Sequence, residues 1–144
     1  MSIQSWPFAL AVVLTLPLAA CSGVGIEDTK AGFSCIDDSP ECVGQRQTAL
    51  NALMTSEDKS WVKETATPQA HASGVRLFAL RARKADLSCE ELAHGRREAE
   101  SAPKVLKSAA NQGLTPAQIS RASMFAAEVS KELSAEMRRR HCKA

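Results

Sequence analysis

Three times in this chain a hydroxyl residue stands directly before a proline, at Ser39-Pro40, Thr67-Pro68 and Thr115-Pro116. A hydroxyl there can accept a hydrogen bond from a free N–H of the first helical turn. Proline suits the first helical position, because its fixed φ is already helical and its missing N–H is no loss. Ser88-Cys89-Glu90-Glu91 adds a fourth start in the form of a capping box, and Thr115 with Gln118 repeats that reciprocal arrangement. Four helix starts spread along about a hundred residues leave little length for strands. The absence of Tyr and an aromatic content of 4% also disfavour a sandwich or barrel. The expected fold class is all-α, a small up-down bundle of about four helices.

Periodicity supplies the helices that follow these starts. Helix 1 is expected from Pro40 to about Met54, with Val43, Leu50, Leu53 and Met54 on one apolar face. Residues 55–66 are polar apart from Trp61 and Val62, which are expected to plug the core from a connecting loop. Helix 2 is expected from Pro68 to about Lys84 through Val75, Phe78, Ala79 and Ala82, weakened modestly by Gly74. Helix 3 should run from Cys89 to about Asn111 through Leu92, Ala99 and Leu106, with a kink or interruption at Pro103. Gly113 closes the turn that follows. Helix 4, from Pro116 to about His141, carries Ile119, Ala122, Ala126, Val129, Leu133 and Met137 at helical spacing.

The N-terminal segment has a different character. Trp6 to Ala20 is an uncharged apolar run followed by small residues, the layout of a signal-peptide core and cleavage site. It is short for a membrane span, which needs roughly 20 apolar residues. Its end, Leu18-Ala19-Ala20-Cys21-Ser22, resembles the lipobox of bacterial lipoproteins. The resemblance covers the leader alone, and residues 1–5 depart from it in carrying no Lys or Arg. It implies that the Cys21 thiol receives a diacylglyceryl group before the peptidase cuts in front of it. Residues 1–20 are then the signal peptide, 21–38 a lipidated N-terminus and Gly-containing flexible linker, and 39–144 the helical domain. Ser22 after the lipidated cysteine, rather than Asp, resembles the sorting pattern for the outer membrane, with the domain facing the periplasm.

Of the five cysteines, lipidation accounts for Cys21 and leaves an even set, Cys35, Cys42, Cys89 and Cys142. In an exported domain with a thin core, two disulfides are expected. A four-thiolate zinc site is the rival, but such sites place ligands in close pairs, and these spacings are wide. In an up-down bundle the starts of helices 1 and 3 and the ends of helices 2 and 4 meet at one end, bringing all four cysteines there. With about 1.5 Å rise per residue, Cys142 returns to within about a turn of Cys89. That favours Cys89–Cys142 and a local Cys35–Cys42 bond, while the topology also permits Cys42 to pair with Cys89 or Cys142.

No metalloprotease helix, phosphate loop, dinucleotide turn or nucleophile elbow is present. His71, His94 and His141 are scattered and read as surface or interface residues, so neither a metal, a cofactor nor an enzymatic activity is expected. Glu90, Glu91, Glu98 and Glu100 read as residues of a helix N-terminus and its solvated face. A net charge of only +2 argues against nucleic acid. The basic cluster Arg138-Arg139-Arg140-His141-Cys142-Lys143 should lie near Arg81, Arg83 and Lys84. It can attract an anionic envelope polymer or lipid head groups. Alternatively it complements a helix dipole and pairs with Asp37, Asp38, Glu90 and Glu91. The function expected is a non-enzymatic module of the envelope, held in the membrane by its N-terminal lipid and contacting another envelope protein; a periplasm-facing inhibitor or ligand-binding domain is the alternative.

Overall fold

Every hydroxyl-proline pair begins a helix. In the computed structural model, which describes residues 32–143, Ser39 Oγ accepts from Cys42 N at 3.2 Å and Thr67 Oγ1 from Ala70 N at 3.1 Å. Ser88 with Glu91 and Thr115 with Gln118 form complete capping boxes, hydroxyl to backbone and side chain back to the cap N–H. The resulting helices are α1 (Pro40–Thr55), α2 (Pro68–Ser73), α3 (Val75–Ala82), α4 (Cys89–Ser108) and α5 (Pro116–Arg139), with a 3-10 turn at Ser60–Lys63. No strand occurs among the described residues, and the fold is an all-α, disulfide-stapled bundle built on α1, α3, α4 and α5. Residues 1–20, expected as a signal peptide, and Cys21 lie outside the described residues.

The expected second helix is two helices. Gly74 adopts φ 73°, a left-handed conformation that ends α2, and its N–H bonds to His71 O at 3.2 Å while its carbonyl starts α3. Pro103 does not interrupt α4, which ends instead at Ser108 and unwinds through turns to Gly113. At the far end of α5, His141 stands at φ 55°, Cys142 N bonds to Met137 O at 2.9 Å, and His141 N bonds to Arg138 O at 3.1 Å. These are the two bonds of a Schellman reversal, made here without glycine.

The core is an α4–α5 antiparallel hairpin with α3 laid across it. Leu92, Ala99 and Ala102 of α4 and Ala126, Val129, Leu133 and Met137 of α5 are buried with Leu77 and Leu80 of α3, Leu53 of α1, and Trp61 and Val62. Gly95 lets these helices approach, since a Cβ there would lie 2.8 Å from Leu80 Cδ2 and 3.3 Å from Leu133 Cδ1. A smaller cluster of Leu106, Ala109, Leu114 and Ala122 closes the hairpin tip. The apolar faces of the first two expected helices are found in part, with Leu53, Val75 and Ala79 buried. Val43, Met54 and Phe78 are exposed, and Ala82 is too, whereas Cys42, Ala49, Leu77 and Leu80 are buried. Helix α1 has α3 as its main helical neighbour.

The cysteine pairs are Cys35–Cys42 and Cys89–Cys142, each with Cα atoms 5.4 Å apart, but they sit at opposite ends of the bundle. Before α1, Ile36 O accepts from Gln118 Nε2 at 3.0 Å, placing the start of α1 beside the start of α5. At the other end of α1, Arg83 Nη1 donates to Leu53 O at 2.6 Å and Ser56 O at 2.8 Å. Helix α1 therefore runs in the same direction as α3, while α3, α4 and α5 follow one another up and down. Residues 56–67, which span up to about 40 Å when extended, carry the chain back along α4. That length explains why the four cysteines do not gather at one end.

Candidate functional site

Two features stand out among the described residues. The first is a groove of about 410 Å³ between α1, the α2–α3 junction and α5, lined by Val43, Leu50, Ala72, Val75, Phe78 and Phe125, with Arg46 and Arg121 at its edges. Phe78 is 47% exposed and Val43 41%, high values for side chains on a surface rich in charge. Arg46 is occupied, donating to Asp37 O at 2.6 Å and facing Asp38 at 3.6 Å. Arg121 has no ion pair among the described residues.

The second feature is a buried polar cluster between the returning segment, α2, α3 and α4. Arg76, 3% exposed, donates through Nε to Glu98 Oε1 at 3.0 Å and through Nη2 to Glu98 Oε2 at 2.6 Å, with a further bond to Glu64 O at 2.9 Å. Its guanidinium carbon lies 5.8 Å from the Trp61 ring centroid, within cation–π range. Trp61 Nε1 and His71 Nδ1 are buried here without a protein partner. Burial pushes the His71 imidazole below its ordinary 6.5; Glu98 acts in the opposite sense, and Arg76 reinforces the lowering. His71, His94, Arg97 and Glu98 line a single cleft of about 320 Å³. Two histidines expected to be scattered thus line one cleft, because α2 packs on α4, and His71 is buried. Glu98, expected on a solvated face, has a side chain only 9% exposed. Nothing in linear spacing signals this: Arg76 sits between Val75 and Leu77 with no acid within a helical turn of it.

The basic residues near the C-terminus have partners other than those expected. Arg81 contacts Glu128 and Glu132, Lys84 contacts Glu132 at 2.5 Å, and Arg139 contacts Glu136 at 2.5 Å. The bond from Lys84 holds the Glu132 carboxyl below the usual range, and that from Arg139 does the same for Glu136. Arg140 donates to Leu87 O. Asp37 and Asp38 belong to Arg46 at the opposite end, and Glu90 and Glu91 face Lys63 and Lys59. The cations close the α3–α4 corner onto α5.

One set of His, Cys, Asp and Glu among the described residues is close enough to share a metal ion, Cys35, Asp37 and Cys42, and its two sulfurs are bonded to each other. Among the same residues no helix is long and apolar enough to cross a membrane. Comparison with protein-family models, curated proteins and solved structures gives no match.

Proposed function

We propose that this protein is a lipid-anchored interaction module of the bacterial envelope, tethered through Cys21 and holding a partner protein by the groove between α1, the α2–α3 junction and α5. The observation that carries the reading is the groove itself, whose apolar floor is edged by arginines. Phe78 and Phe125 line it, and aromatic side chains in an open apolar groove are the usual anchors of a protein interface. The lipobox-like Leu18-Ala19-Ala20-Cys21 supports the tether. Two acyl chains at a processed cysteine suffice for stable attachment, so the helical domain is free to use its surface for recognition.

Two measurements test the reading separately. Labelled fatty acid should enter the wild type and be lost in Cys21→Ser; equal incorporation in both ends the tether. For the groove, benzoylphenylalanine at position 78 should crosslink to one envelope protein on illumination, while the same probe at exposed position 100 on α4 should not. Identical products from both positions would reject the groove as the contact surface.

A further inference from the structure

The two disulfides differ in what surrounds their sulfurs. Cys42 is the third residue of α1, where the free N–H groups and the positive end of the helix dipole stabilise a thiolate, and Arg46 Nη1 lies 3.3 Å from its Sγ. Cys42 is 1% exposed, whereas Cys35 is only partly covered. The approachable sulfur and the one best able to carry negative charge are therefore different atoms of one bond. Asp37, with a carboxylate oxygen within 4.8 Å of both sulfurs, opposes a thiolate there; its charge is drawn into hydrogen bonds with Ser39. At Cys89–Cys142 both cysteines are partly covered and Cys89 likewise begins a helix, but Glu90 and Glu91 follow it, Cys142 lies at the negative end of α5, and no basic side chain bonds either sulfur among the described residues, so the Arg46 contact is what sets the first bond apart.

We propose that Cys35–Cys42 is a thiol-exchange site that accepts electrons from a dithiol, while Cys89–Cys142 is a permanent staple. An external thiolate attacks Cys35 Sγ, the disulfide breaks, and its electron pair leaves on Cys42 Sγ beside Arg46. The second thiol of the reductant loses its proton to solvent and attacks the mixed disulfide. Cys35 departs with the electron pair of that bond and takes up a proton, and the reductant leaves as its own disulfide. Fast exchange needs a good leaving thiolate and an accessible sulfur, and this bond supplies both. The fold tolerates opening, because the 35–42 loop is also held by Gln118 on Ile36 O and by Arg46 on the carbonyls of Cys35 and Asp37. Arg46 also lines the groove, so exchange acts next to the proposed contact surface without depending on it.

The test treats the full chain, without denaturant, with limiting dithiothreitol, quenches with N-ethylmaleimide and maps peptides by mass, so both bonds are read in one sample. Cys35 and Cys42 should be labelled about tenfold faster than Cys89 and Cys142. Glutathione trapped in mid-reaction should be found on Cys35, with Cys42 alkylated. In the reduced protein, Cys42 alkylation should titrate below the ordinary cysteine value, and Arg46→Gln should raise that midpoint by about one unit, a change that loosening of the loop alone does not produce. Asp37→Asn should lower it further. Equal or faster opening of Cys89–Cys142, glutathione on Cys42, or a midpoint indifferent to Arg46→Gln would overturn the assignment.

Discussion

The α4–α5 hairpin and the chain before it are held by different means. In the hairpin, long capped helices bury a regular apolar seam and a disulfide joins their outer ends. Before it, the helices are shorter or broken, and buried arginines hold the parts together. Arg83 ties the end of α1 to α3 through two backbone carbonyls, and Arg76 ties α3 to α4 through Glu98 and to the returning segment through Glu64 O. An apolar seam tolerates small changes of register. A buried guanidinium does not, because each N–H that loses its acceptor remains desolvated. The N-terminal half is therefore the more specified and the more easily broken part of the molecule.

Removal of the staple should give the largest effect. Cys89 and Cys142 are 53 residues apart in sequence, for which chain entropy gives about 4 kcal/mol, against about 2.5 kcal/mol for the 7-residue separation of Cys35 and Cys42. Thermal melts of Cys89→Ala/Cys142→Ala and Cys35→Ala/Cys42→Ala should show the first pair losing more; the reverse order would mean that the hairpin holds without its bond. Next, Glu98→Gln should cost about 3 kcal/mol in urea unfolding, since Arg76 keeps its charge in a buried site. Replacing both partners, Arg76→Met with Glu98→Leu, should recover most of that loss. If the double variant is as unstable as the single one, the N-terminal half depends on shape rather than on the ion pair. The smallest effect is expected at Gly74→Ala, about 1 kcal/mol, because a Cβ at φ 73° is strained although the space around it is open to ordinary contact. No change there would show that α2 and α3 can fuse into one helix at little expense.

The same contrast decides what could be read from the chain. The helix starts are local chemistry, a hydroxyl, a proline and a returning Glu or Gln within four residues, and all four are found where the residues place them. The seam of α5 is equally local, because its period repeats over about five turns from Ile119 to Met137. Gly74 adopts a left-handed conformation and divides the second expected helix, and within the helices tertiary neighbours decide which residues go in: Val75 and Ala79 are buried while Phe78 is exposed, and Val43 is exposed beside buried Cys42. The direction of α1 depends on a twelve-residue segment that recrosses the bundle, a choice made by Arg83, Lys59 and Lys63 finding partners far away in sequence. The pairing of Arg76 with Glu98, and the cleft that His71 and His94 share, are products of that crossing and have no linear signature. The packing role of Gly95 has no linear signature either. A glycine within a helix reads as a weakness until the Leu80 and Leu133 methyls that occupy its missing Cβ are seen.

The reversal at His141 turns Cys142 back toward Cys89 at the outer end of the hairpin, while the turn at the opposite tip, residues 110–113, is exposed. A protease that cuts that tip severs the backbone between α4 and α5 yet releases no fragment, because the two pieces remain covalently joined at the other end. Damage at this exposed turn then becomes a nick in a covalently joined molecule rather than the loss of its last helix.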